Sequence, residues 1–151
     1  HSYAPGVGDP DNFKLNDCST QRNLSDVGRQ DAQDVGEWLQ RREIKIFRVE
    51  TSRWCRAKET AQLLGLGKVR LNKNLDSLFE EADALNHPQT AAVRKQIQNH
   101  RNKTGLLVLV GHYVNIAALT GVGVASGEGI LIKANALGEF KVFGATPKLN
   151  R

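Results

Sequence analysis

The stretch Thr51-Ser52-Arg53-Trp54-Cys55-Arg56-Ala57-Lys58-Glu59-Thr60-Ala61 decides the fold, because an apolar segment gives way there to a helical pattern. Ahead of it, Ile44, Ile46, Phe47 and Val49 form a short β-rich run. Behind it, Ala57, Ala61 and Leu64 fall at i, i+4 and i+7, the spacing of one helix face. The junction reads as a strand running into a helix over 53–64, with Ser52 placed to cap it. Arg53, Arg56 and Lys58 gather in the first turns, where backbone N–H groups and the dipole already favour an anion. That much positive charge opposes the dipole unless a ligand fills the place. The stretch is therefore half of a phosphate site.

The rest of the chain supplies the frame. A length of 151 residues with 40% hydrophobic content predicts one globular domain, 1–151, with enough chain for a core. A net charge of +5 and a pI near 9.4 suit an anionic partner. Lys and Arg are spread without blocks and few aromatics interleave with them, which argues against nucleic acid. No apolar run approaches the roughly 20 residues that span a bilayer, so a soluble chain is expected. Four scattered histidines show no metal-ligand spacing, and no metal or cofactor is expected.

Residues 2–17 are dense in Gly, Pro, Asn and Asp and read as a long, functional loop. Ser25 caps a helix whose face is Val27, Val35 and Leu39, ending near Arg42. Gly28, Ala32 and Gly36 add a small-residue stripe that permits close packing. After 53–64 come a short strand at 68–71, an irregular acidic stretch at 75–83, and a helix opened by Pro88 with Val93 and Ile97 on its buried side. Five apolar residues, Leu106 to Val110, predict a parallel strand buried on both faces, running into Gly111 and His112. A short helix over 115–119 and strands at 129–134 and 139–144 follow. This order predicts an α/β domain with helices on both faces, and ligands bind at the carboxyl ends of such strands. Thr51 to Arg56 and Gly111-His112 lie at those ends, as does His1 if a strand upstream of the chain leads into it.

Two histidines and an arginine beside a helix start suggest phosphoryl transfer through a phosphohistidine. A neutral imidazole attacks phosphorus provided one ring nitrogen is free and the other is held. Arg grips two oxygens in a planar fork. A second, protonated histidine holds a third oxygen, and a carboxylic acid serves the leaving group.

These residues carry a resemblance to the histidine phosphatase superfamily, the phosphoglycerate-mutase-like proteins, over nearly the whole chain. Ser52, Arg56, Thr60 and Ala61 match its Ser-xxx-Arg-xxx-Thr-Ala motif without a gap. Leu109-Val110-Gly111-His112 resembles the strand ending in its second histidine, and Gln21-Arg22-Asn23-Leu24-Ser25 with Gly28, Arg29 and Ala32 the opening of its first helix. Its Arg-His-Gly motif appears only as His1-Ser2. The resemblance implies a three-layer α/β/α sandwich with a mostly parallel sheet whose first strand lies upstream of His1. It makes His1 the nucleophile, Arg56 and His112 the phosphoryl ligands, and Ser52, Arg22 and Glu128 candidate phosphate or substrate contacts. The family's acidic Glu position falls on Ser77 here, leaving Asp76 as first candidate acid, Glu80 and Glu81 next, or no dedicated acid. His87 and His100 are read as surface residues, Trp38 and Trp54 as packing, and Arg29 and Arg53 as surface charges.

More narrowly, Ala4-Pro5-Gly6, Asp9-Pro10, Asp17-Cys18, Trp54-Cys55-Arg56, Val114-Asn115-Ile116 and Ser126-Gly127-Glu128 resemble a bacterial branch of small members, many of which look exported. That implies a periplasmic or secreted location, with a cytoplasmic one the alternative. From composition alone Cys18 and Cys55 are equally a disulfide or two thiols; the exported resemblance favours the disulfide. The implied function is hydrolysis of a phosphomonoester or phosphoramidate, on a small molecule or phosphoprotein. A non-catalytic phosphate- or phosphoprotein-binding domain is the rival, and a mutase the weaker third reading.

Overall fold

The computed structural model describes residues 1–146. After the opening loop, broken only by a 3-10 turn at Cys18–Thr20, the order is α1 (Asp26–Gln40), β1 (Ile46–Thr51), α2 (Cys55–Leu63), β2 (Val69–Leu71), a 3-10 turn at Lys73–Leu75, α3 (Pro88–His100), β3 (Leu106–Val110), α4 (Tyr113–Thr120), β4 (Ile130–Ala134) and β5 (Phe140–Ala145). β1 lies between β2 and β3, parallel to both, with Val49 opposite Val69 and Val108. β4 and β5 form a separate antiparallel pair.

Alternation along β1 sets the layers. Val49 points into a core with Val35 and Leu39 of α1, Ala57 and Ala61 of α2, Leu64, and Val110 of β3. Burying each of the larger side chains stabilises the fold by about 1.5–3 kcal/mol. Glu50 faces the other way, where its carboxylate accepts from Arg48, from Asn72, and from Gln96 of α3. Helices thus cover both faces of a parallel sheet, the expected α/β arrangement. The small-residue stripe on α1 has a steric use: a Cβ at Gly36 would meet the Leu64 carbonyl oxygen at 2.1 Å, and one at Gly28 the Tyr3 carbonyl oxygen at 2.1 Å.

Local readings change in four places. α2 begins at Cys55 with Trp54 as its N-cap residue, because the Ser52 hydroxyl accepts from the Trp54 N–H and turns towards His112 instead of capping the helix. Val27 is half exposed; the Ser25 cap sets a helix phase that turns Gly28, Ala32 and Val35 inward. β3 is buried fully only at Val110, since among the described residues it ladders with β1 on one edge and with nothing on the other. His87 and His100 are not plain surface groups. His87 Nδ1 accepts from the Gln89 N–H at the start of α3, and His100 bonds the Gly105 carbonyl and packs on Phe47. The strand expected ahead of His1 falls outside this sequence; within it, the His1 backbone nitrogen donates to the Gly111 carbonyl at 2.8 Å, beside the end of β3.

Candidate active site

Three elements deliver three side chains to one spot. His1 arrives beside the end of β3, Arg56 from the first turn of α2, and His112 from the turn between β3 and α4. The His1 and His112 rings stand 5.2 Å apart at 75°. Arg56 Nε donates to His1 Nε2 at 3.1 Å, and an arginine N–H can only donate, so Nε2 holds a lone pair. His1 Nδ1 lies 2.8 Å from the Ser2 carbonyl and therefore carries the proton. Backbone and helix share the job of placing this ring: the Thr60 hydroxyl donates to the Arg56 carbonyl and accepts from the Ser2 N–H, while the Gly127 N–H donates to the His1 carbonyl.

His112 is buried, and its Nε2 lies 3.0 Å from the Ser52 hydroxyl. Burial first, and the Arg56 and Arg22 charges after it, push its pKa well below the ordinary value, so the ring is neutral while no anion is present. A neutral ring offers one N–H, and the protonated form expected to hold a phosphoryl oxygen is favoured by an anionic ligand beside it.

No family model matches this sequence and no curated protein matches it, whereas solved structures do. The protein histidine phosphatase SixA complexed with tungstate aligns over 92% of this chain and 91% of its own, at 16% identity and a TM-score of 0.67. The mycobacterial glucosyl-3-phosphoglycerate phosphatase Rv2419c, complexed with VO3, aligns over 82% and 86% at 19% identity and a TM-score of 0.63. YhfR of Bacillus stearothermophilus aligns over 80% and 82% at 18% identity and a TM-score of 0.61. The chain has the histidine phosphatase fold.

Within the histidine phosphatase fold, the other residues singled out from sequence take different places. Ser52 sits behind His112 and accepts from Trp54, fully buried, and is not positioned at the surface of the site. Asp76 is also buried; its carboxylate accepts from the Arg53 backbone N–H at 2.9 Å and the Arg53 Nε at 2.7 Å, and touches Ser52 only at 3.4 Å. The salt bridge gives Arg53, read as a surface charge, a structural partner and engages the Asp76 carboxylate. Glu80 and Glu81 are exposed. Arg22 turns its guanidinium to the carbonyls of Ala4 and Gly8, pinning the opening loop. Glu128 closes its own turn by accepting from the Ala125 N–H.

Cys18 and Cys55 are joined, with Cα atoms 5.7 Å apart, and Gln21 reinforces the link by accepting from the Cys55 N–H. The loop and the start of α2 are thereby tied on the residue next to Arg56. Two groups escaped the sequence reading. Asp9 accepts from both terminal nitrogens of Arg56, at 2.7 and 3.1 Å, and from Trp54 Nε1 at 2.9 Å. Partial burial alone would raise its carboxyl; the hydrogen bonds from Arg56 and Trp54 and the Arg56 charge outweigh that and hold it below its ordinary value. Asn115 is the other: it holds the 76–78 segment by accepting from the Leu78 N–H and donating to the Asp76 carbonyl. The Asp9-Pro10 pair in a Gly/Pro loop was the available signal for Asp9. No group of three His, Cys, Asp or Glu among the described residues has metal-site geometry.

Proposed function

We propose that this chain is a phosphatase that transfers a phosphoryl group to His1 and then to water. The observation that carries the reading is the His1 Nε2 lone pair, held by a fixed tautomer against the Arg56 guanidinium with the His112 ring 5.2 Å away. The Nε2 lone pair attacks phosphorus, the bond from phosphorus to the leaving oxygen or nitrogen breaks, and Arg56 and His112 hold the phosphoryl oxygens as charge spreads over them. Water then attacks the phosphohistidine, releasing phosphate and restoring the ring. The leaving group takes its proton from solvent, and the attacking water gives one of its own to the departing phosphate as the phosphorus–Nε2 bond breaks. Ser52, held by the Trp54 N–H, fixes the His112 ring in place.

A phosphoramidate is the favoured substrate class. With Asp76 held by Arg53, no sequence-expected carboxylate stands ready to protonate an alkoxide, and a nitrogen leaving group takes its proton from solvent before the bond breaks. The name of SixA, a protein histidine phosphatase, points the same way for a protein of the same fold. The test is a panel of a phosphoramidate, an aryl phosphate and an alkyl phosphate, with His1→Gln, Arg56→Ala and His112→Ala alongside. Turnover in the order phosphoramidate, aryl, alkyl is expected, with a fall of at least about a hundredfold in each variant, as for loss of a group acting in the transition state. An acid-labile phosphoryl adduct should map to His1. Phosphate binding without turnover of any compound would make this a binding domain on the same fold.

A further inference from the structure

A guanidinium carries five N–H donors. On Arg56, Nε gives its hydrogen to His1 Nε2 at 3.1 Å. Nη1 gives to Asp9 Oδ1 at 2.7 Å and, more weakly, to the Arg22 carbonyl at 3.4 Å, while Nη2 gives to Asp9 Oδ2 at 3.1 Å. A carboxylate straddling both terminal nitrogens occupies the end of the fork. The donor left without a partner among the described residues is the second Nη2 hydrogen, which lies on the edge shared with Nε. Arg56 is only 3% exposed, so this donor is on a buried cation, on the same edge that meets the candidate nucleophile.

We propose that Asp9 is a positioning residue for the phosphoryl transfer: by gripping the end of the Arg56 fork it presents the Nε–Nη2 edge to the phosphoryl group beside His1. The inference rests on the phosphatase reading. Two parallel N–H bonds from that edge match two phosphoryl oxygens, the side-on counterpart of the end-on pair that Asp9 already makes. The Nε hydrogen that now lies on the His1 lone pair passes to a phosphoryl oxygen as the substrate settles. Binding and release of the nucleophile are then one event, and the lone pair is free only when phosphorus is in front of it.

Asp9 can do this because it is itself held. Trp54 Nε1 and the Arg22 N–H both donate to its carboxylate, Trp54 stacks on Phe13 at 5.1 Å and 27°, and the Arg22 side chain ties down Ala4 and Gly8 on either side of the turn leading to Asp9. The opening loop is thus a brace for the guanidinium, one residue pair away from the chemistry.

A double-mutant cycle between Asp9→Asn and Arg56→Lys tests the brace, read on aryl phosphate turnover. Lysine has no fork to align, so a positioning role must vanish with Arg56. Asp9→Asn alone should lower kcat at least about tenfold with KM within about threefold, the pattern of an interaction felt in the transition state, yet change the Arg56→Lys protein by less than about twofold. Equal losses in both backgrounds, or an Asp9→Asn protein within about twofold of wild type, would overturn the proposal and make Asp9 a loop anchor only. If Asp9→Asn unfolds, Asp9→Glu keeps the carboxylate, and the same cycle run with it decides by the same coupling. A wild type that binds inorganic phosphate without turnover sinks the phosphatase reading alone. The cycle is then read on phosphate affinity by calorimetry, where coupling upholds the brace and additivity overturns it; absence of phosphate binding overturns both.

Discussion

The two faces of the parallel sheet are built by different means. On the α1/α2 face, Val35, Leu39, Val49, Ala57, Ala61, Leu64 and Val110 pack into an apolar core, two glycines let backbones touch, and a disulfide fastens the first residue of α2. On the α3/α4 face α3 buries Val93 and Thr90, and polar contacts stand beside them. Glu50 meets Asn72 and Gln96, Arg94 reaches from α3 to the Leu119 carbonyl and over the Phe140 ring, and α4 buries no residue fully despite its apolar sequence. Arg56 belongs to the first face and His112 to the junction with the second. The difference teaches that the half of the site which grips and aims is set in apolar and covalent packing, while the half that carries the second histidine rests on hydrogen bonds that rearrange at lower cost.

The sharpest way to break this contrast is to open the disulfide. Reduction, or Cys18→Ser with Cys55→Ser, should lower stability by up to about 4 kcal/mol on the chain-entropy account, read as a fall in the denaturant midpoint. Next, Gly36→Ala forces a methyl against the Leu64 carbonyl and should cost about 1–3 kcal/mol by overpacking, measured by thermal melting. A cost near zero would mean that α1 is not seated as described.

His112 supplies a test by pH. Its folded pKa lies well below the ordinary 6.5, so below that value the unfolded chain takes up a proton that the folded chain refuses. The stability it contributes is whole above about pH 6.5 and drains away as the pH falls towards the folded pKa. The melting temperature should fall between pH 7 and pH 5, and His112→Gln should flatten that slope; an unchanged slope would mean that the ring titrates normally. The smallest effect is expected on the second face, where Ile116→Ala on the half-buried α4 should cost under about 1 kcal/mol in the same melts. A loss equal to that of Gly36→Ala would erase the distinction between the faces.

The strand-to-helix junction, the order of elements and the meeting of Arg56 with His112 were legible in the sequence, because each depends on short-range periodicity or on where strands end. The small-residue stripe on α1 was legible for the same reason, and its close approach to Leu64 and Tyr3 gives it its use. Asp9 was not legible as an Arg56 partner. It reaches across 47 positions from a loop without periodicity, and only the folded path of that loop brings it to the guanidinium. The Asp76 environment was not legible for a related reason: Arg53, read first among the cations of the helix start and then as a surface charge, turns back to bind its carboxylate from 23 positions away. Ser52 was read as a cap because local rules favour it, and a long-range partner, His112, redirected its hydroxyl.

One oxygen atom bears on how such a site can change over evolutionary time. The Thr60 hydroxyl joins the backbone of the residue that carries the guanidinium to the backbone next to His1, the proposed nucleophile. Nucleophile and grip therefore share a common reference point, and a shift of α2 along its axis carries both in step. Valine at this position would keep the shape and cut the tie, while serine would keep the tie and loosen the shape. Variation in the helix can retune the site as a unit, but it cannot move one partner without the other.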